Sequence, residues 1–94
     1  MRKFDLGQTF VTKGVWDAIG NNVGDFITMN VCLSKHHNGD WGNLDEEDKM
    51  LNDIAVEDGG RILSAYEIGE NKVKIWIITE ADRSYTTILL PEEY

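Results

Sequence analysis

The chain predicts an α+β fold in which a three- or four-stranded antiparallel β-meander carries two helices on one face. Two observations predict it. Between residues 61 and 91 three segments rich in Ile, Val, Tyr, Trp and Thr are separated by turn-forming stretches, the signature of consecutive antiparallel strands. Between residues 14 and 59 apolar residues recur at helical spacing, with stops at Asn38-Gly39 and Gly59-Gly60. The chain is expected to form one domain over residues 1–94.

Met1 to Gly7 reads as a loosely paired lead anchored by Phe4 and Leu6. Gln8 to Thr12 is β-branched enough to add a fourth strand at an edge of the meander, and Gly14 to Ile19 forms a short helical turn ended by Gly20-Asn21-Asn22. Asp25 to His37 is the first long helix, capped by Asp25, with Phe26, Met29, Leu33 and either Cys32 or His36 inward. Its Lys35-His36-His37 end suits the negative pole of the helix dipole. The second helix begins at Asn43 with an Asn-x-x-Glu capping box through Glu46, and Leu44, Leu51, Ile54 and Ala55 form its inward face.

The meander strands are Arg61 to Ile68, Val73 to Glu80 and Tyr85 to Leu90, joined by 69–72 and 81–84. In the middle strand Val73, Ile75, Ile77 and Thr79 alternate with Lys74, Trp76, Ile78 and Glu80, so both faces carry bulky apolar groups. One face takes the helices. The other, with Trp76 and Ile78, needs either the N-terminal segment or a partner, including a second copy in a homodimer.

Seventeen acidic against nine basic side chains give a formal net charge of -8. That argues against nucleic-acid binding through a broad basic face and suits a protein partner with a basic surface. The single Cys32 rules out an internal disulfide and reads as a core residue. No apolar run approaches the roughly 18 residues that span a bilayer, and the first residues lack a signal-peptide core, so no membrane association and a cytoplasmic location are expected.

From His36 onward the chain carries His36-x-x-Gly39-Asp40-Trp41-Gly42-x-Leu44-x-x-Glu47-Asp48, then Asn52, then Arg61-x-Leu63-Ser64-Ala65-Tyr66. It ends on Trp76-x-Ile78-Thr79-Glu80-Ala81-Asp82-Arg83-Ser84-x-Thr86-Thr87-x-Leu89-Leu90-Pro91-Glu92-Glu93-Tyr94. This run resembles a family of small bacterial plasmid-related proteins. The resemblance implies an accessory protein of a plasmid, phage or other mobile element, and it supplies no catalytic residues.

Three function classes follow. The first is a non-catalytic interaction protein that occupies a basic partner surface, such as that of a CRISPR or restriction enzyme. Its acidic helix would supply Asp45, Glu46, Glu47, Asp48, Asp53, Glu57 and Asp58. The second is a binding module for a phosphate- or nucleotide-like small molecule, with Arg83, Ser84 and Tyr66 at the rim, since a guanidinium grips such anions in a two-pronged contact. The third is a small hydrolase built on His36 and a carboxylate. No metal or cofactor is implied, because the spacing of His36, Asp40, Glu47 and Asp48 matches no ligand pattern. Whether His36, Asp40, Trp41, Asp48 and Arg83 serve a site or the fold is left open at this stage.

Overall fold

In the computed structural model, which describes residues 2–94, the elements run β1 (Gln8–Val11), α1 (Lys13–Ile19), α2 (Val23–His37), α3 (Glu46–Asp58), β2 (Ile62–Ile68), β3 (Val73–Thr79) and β4 (Tyr85–Leu89). A 3-10 turn over Pro91–Glu93 follows. The fold is α+β. The sheet has the order β1-β4-β3-β2, with antiparallel β2–β3 and β3–β4 pairs. The fourth strand lies at the edge beside β4, but in parallel, with Gln8 opposite Tyr85 and Val11 opposite Ile88. The sheet is therefore mixed. The long helical excursion between β1 and β2 allows the parallel pairing, which a hairpin could not connect.

One sheet face is formed by Ile62, Ser64, Tyr66 and Ile68 of β2, Ile75, Ile77 and Thr79 of β3, and Thr86 and Ile88 of β4, all buried. Val15 and Ile19 of α1 and Met29 and Cys32 of α2 close over it. Each fully buried Ile contributes about 1.5–3 kcal/mol, so this face is the main source of stability. A smaller cluster of Trp41, Ala55 and Ile62, with Phe4, Leu44 and Val56 against it, seats α3 at the β2 end.

The helices start later or earlier than expected, for local reasons. Asn22, not Asp25, caps α2, because its side chain accepts the Asp25 N–H at 2.9 Å and puts Asp25 in the first turn. Asp45, not Asn43, caps α3 by accepting the Asp48 N–H at 2.8 Å. Residues 41–43 cannot be helical because they extend the sheet: Ala65 N–H donates to Trp41 C=O, and Asn43 N–H donates to Ala65 C=O at 2.7 Å. Gly42 sits there with φ 74° against the Ala65 carbonyl, a place with no room for a side chain.

The inward faces are also rotated from expectation. In α2 the buried residues are Met29, Cys32 and His36, whereas Phe26 turns outward and stacks on Trp16. In α3 they are Asn52 and Ala55, and Leu51 and Ile54 are exposed. Asn52 sets that rotation. Its amide donates to the Leu63 carbonyl at 2.7 Å and accepts the Leu63 N–H at 3.2 Å, the two bonds a neighbouring strand would make. Asn52 and the 41–43 segment thereby close the outer edge of β2.

The second sheet face is covered by the chain's own C-terminal segment rather than by the N-terminal lead. Tyr94 packs edge-on against Trp76 at 5.6 Å and lies under the Arg61 guanidinium, whose Nη1 donates to the Tyr94 hydroxyl. The strap is tied by Glu93, which accepts from the Thr12 hydroxyl at 2.6 Å, the Gly14 N–H at 3.1 Å and the Leu90 N–H at 2.8 Å. The lead instead runs on the helical side, where Phe4 is half-buried.

The hydrogen bond from Thr12, followed by those from the Leu90 and Gly14 backbone, holds the Glu93 carboxyl below its ordinary value of 4.5. A carboxyl whose folded value is depressed adds stability that is present above the unfolded value and lost as pH falls through the folded one. Glu93→Gln is therefore expected to lower the Tm at pH 7. In thermal melts the gap between variant and wild type closes as pH drops below 4.5.

Candidate functional site

His36 is the one ionisable side chain with no exposed surface, at 0%. It hangs from the last turn of α2 into the sheet. Its Nδ1 lies 2.5 Å from Ser64 Oγ and its Nε2 2.8 Å from Thr79 Oγ1; Thr79 Oγ1 lies 2.7 Å from Thr86 Oγ1, and the Thr86 hydroxyl donates to the Leu6 carbonyl at 2.7 Å. The far end fixes every proton in this chain. Because Leu6 C=O can only accept, Thr86 must accept from Thr79, and Thr79 must accept from His36 Nε2–H. Nδ1 then accepts from Ser64. The imidazole is neutral, protonated at Nε2, and fully paired on both sides. Burial, followed by the nearby charge of His37, lowers its pKa from 6.5 to about 3.

Around this ring the aromatic contacts are equally closed. Phe4 meets His36 edge-on at 5.3 Å and stacks on Trp41 at 6.1 Å, and Trp41 meets His36 edge-on at 5.9 Å. Trp41 Nε1–H donates to Asp53 Oδ1 at 2.9 Å. Asp40 accepts the Gly42 N–H through its side chain and the Tyr66 hydroxyl through its carbonyl, the latter at 2.6 Å. Burial first of all raises the Tyr66 pKa, so its phenol stays a donor. Asp48 is exposed at the start of α3.

Arg83, Ser84 and Tyr66 do not share a rim. Tyr66 pairs with Ile75 on the helical face, whereas Arg83 lies beyond the end of β3, which puts roughly four residues of strand, about 13 Å, between them. The Arg83 guanidinium is spent on carbonyls. Nη1 donates to Gly60 at 2.6 Å and to Glu80 at 3.1 Å, and Nη2 donates to Ala55 at 2.9 Å. It therefore fastens the C-terminal end of α3 to the β3–β4 turn, at the negative pole of the helix dipole. Arg83 itself holds φ 61°, a strained value for a non-glycine that those bonds and its stacking over Phe4 at 5.6 Å maintain. Ser84 is exposed in the turn, its N–H donating to Asp82 Oδ1 at 2.9 Å.

Among the described residues no buried side-chain polar atom lacks a hydrogen-bond partner. None of their His, Cys, Asp and Glu side chains gather in threes to hold a metal ion. Cys32 is buried, which pushes its thiol pKa up and away from nucleophilic chemistry. An open concavity of about 460 Å³ beside Asn43, Ala65, Glu67, Lys74 and Trp76 has no inward-facing charged side chain that is itself buried. No described helix is long and apolar enough to cross a membrane.

The outer face of α3 is different. Met50, Leu51 and Ile54 are exposed to between 48% and 63%. Helical spacing sets Glu46 and Glu47 one turn before this apolar stripe and Glu57 and Asp58 one turn after it, all exposed. Of the acidic residues expected to carry binding, Asp45 caps the helix and Asp53 holds Trp41, so these two are structural as well. Glu46 and Glu57 remain on the surface, Glu46 only 3.8 Å from Lys49 in a solvent-exposed pair. The apolar stripe between the acids was missed from sequence because Leu51 and Ile54 were expected inside.

No protein-family model, curated protein or solved structure matches the chain.

The His36 assignment predicts a pH dependence of stability. The unfolded chain takes up a proton as pH falls through 6.5, whereas the folded chain does so only near 3. Stability therefore falls with falling pH, by about 1.4 kcal/mol per unit below 6.5. Denaturant unfolding between pH 6.5 and 4.5, above most carboxylates, should show this slope. His36→Gln should be less stable by about 2–4 kcal/mol at pH 7 and lose the slope.

Proposed function

We propose that this chain is a non-catalytic interaction protein whose α3 face binds a protein partner with a basic, partly apolar surface. The observation that carries the proposal is the pattern on α3: an exposed Met50–Leu51–Ile54 stripe with a pair of carboxylates at each of its two ends. Apolar anchors inside a charged rim are the anatomy of a specific interface, in which the apolar centre supplies affinity and the rim selects the partner and steers its approach. The net charge of -8 works in the same direction. Free nucleic acid does not fit such a face.

The full pairing of the interior supports the same reading. His36 is closed to solvent and touches hydroxyls and aromatic rings rather than a carboxylate, so it has no access to a hydrolysable substrate. Arg83 has its guanidinium committed to three backbone segments, which leaves it little to offer a phosphate. The resemblance to small plasmid-related bacterial proteins extends the proposal to its context. The partner class we favour is a host defence enzyme of the restriction or CRISPR type, whose nucleic-acid site is basic, encountered in the bacterial cytoplasm.

A basic, amphipathic helical peptide with Leu at helical spacing is a direct probe, followed by NMR shift mapping. Met50, Leu51 and Ile54 should shift on titration. Reversing Glu46, Glu47, Glu57 and Asp58 together to Lys should weaken binding at least tenfold while leaving the far-UV circular dichroism unchanged, since none of the four makes a buried contact. Unchanged affinity in the reversed protein would sink the acidic-face reading.

A further inference from the structure

A second exposed apolar face lies on α2, and nothing in the α3 reading uses it. Val23, Ile27 and Val31 follow one another at four-residue spacing along α2, exposed to between 48% and 70%. Phe26 and Trp16 broaden the stripe. Their rings stack at 5.9 Å with an interplanar angle of 18° and both remain more than two-fifths exposed. The other side of α2 is already buried through Met29, Cys32 and His36, so the helix is apolar on two sides. That is the pattern of a helix covered from both directions. Three β-branched residues on a solvent-facing helix also run against helix propensity, which favours straight-chain residues there.

We infer that this face is an isologous interface at which two copies of the chain associate about a two-fold axis through Ile27. Charge selects the occupant. Two chains of net charge -8 repel over most of their surfaces, yet the exposed neighbours of the α2 stripe, Gly24, Asn30 and Ser34, carry no charge. Two copies meeting here set no carboxylate row against another. The α3 stripe cannot pair with itself in this way, because acids stand at both its ends and an antiparallel pairing sets Glu46 and Glu47 against Glu57 and Asp58 of the partner subunit.

The two-fold axis makes the paired α2 helices antiparallel and their dipoles opposed. Val23 then packs against Val31 of the partner subunit, and Ile27 against its own counterpart. Lys35, exposed near the C-terminal end of α2, is carried toward the start of the partner helix, where Asp17 of α1 is already paired with Lys13 at 2.7 Å, so no unpaired carboxylate of α1 is set against a like charge there. The stacked Trp16–Phe26 pair supplies the aromatic anchor that such interfaces favour.

Sedimentation equilibrium from roughly 1 to 100 µM brackets micromolar association. The wild-type chain should pass from monomer to dimer over that range, with the dimer strengthened by added salt as the acidic repulsion is screened. Ile27→Glu and Ile27→Lys, both at an exposed position, should each remain monomeric with an unchanged far-UV spectrum, and mixing the two should restore the dimer. Only a residue on the axis faces its own copy, so that rescue is specific to the two-fold arrangement. A wild-type monomer at every concentration overturns the proposal and leaves the face to a different protein. A dimer that survives in Ile27→Glu, or a mixture that stays monomeric while wild type dimerises, overturns it as well.

Discussion

The neutral imidazole of His36 is the constraint on which the rest of the arrangement depends. An imidazole with no exposed surface is tolerated only if both nitrogens are paired, and the pairing here spans the whole width of the sheet. Ser64 belongs to β2, Thr79 closes β3, Thr86 lies in β4, and Leu6 leads into β1. One ring on α2 therefore fixes the helix against three strands and the N-terminal lead. Since the Thr79 and Thr86 hydroxyls each donate and accept, displacement of any member leaves another unpaired, which gives the register of the strands a polar check in addition to the hydrophobic one.

Most of the polar residues singled out between His36 and Tyr94 lie within this framework. His36, Ser64, Thr79 and Thr86 form the relay, Asp40, Gly42 and Tyr66 shape the segment that closes the β2 edge, and Arg83 ties the end of α3 to the β3–β4 turn. Glu93 and Tyr94 hold the strap over the second sheet face. The apolar surfaces left exposed are elsewhere, on α2 and on the outer side of α3. Their surroundings differ in charge, and on the two proposals made above that difference sorts them: the acids at the ends of the α3 stripe suit a basic partner, whereas the neutral flanks of the α2 stripe suit a second copy.

The sequence made the meander legible, since period-two alternation and turn residues act locally and the strands lie within a residue or two of their expected bounds. What escaped it depended on contacts between distant segments. Which side of α3 faces inward is decided by Asn52 bonding to Leu63, which no helical period reveals. The caps of α2 and α3 moved because Asn22 and Asp45 compete with equally good residues three and two positions away. Arg83, Ser84 and Tyr66 looked like a rim because each has suitable chemistry, but strand alternation and the length of β3 separate them. The parallel direction of β1 follows from the helical crossover and has no signal in Gln8–Val11 itself.

The direct test of the central claim, that His36 is a neutral structural hub rather than an acid–base group, is an NMR titration of its ring nitrogens and carbons in the folded protein. The account predicts a single tautomer protonated at Nε2, with shifts that stay flat from neutral pH down toward about 3. A ring that titrates near 6.5, or that is protonated at Nδ1 when neutral, would contradict it.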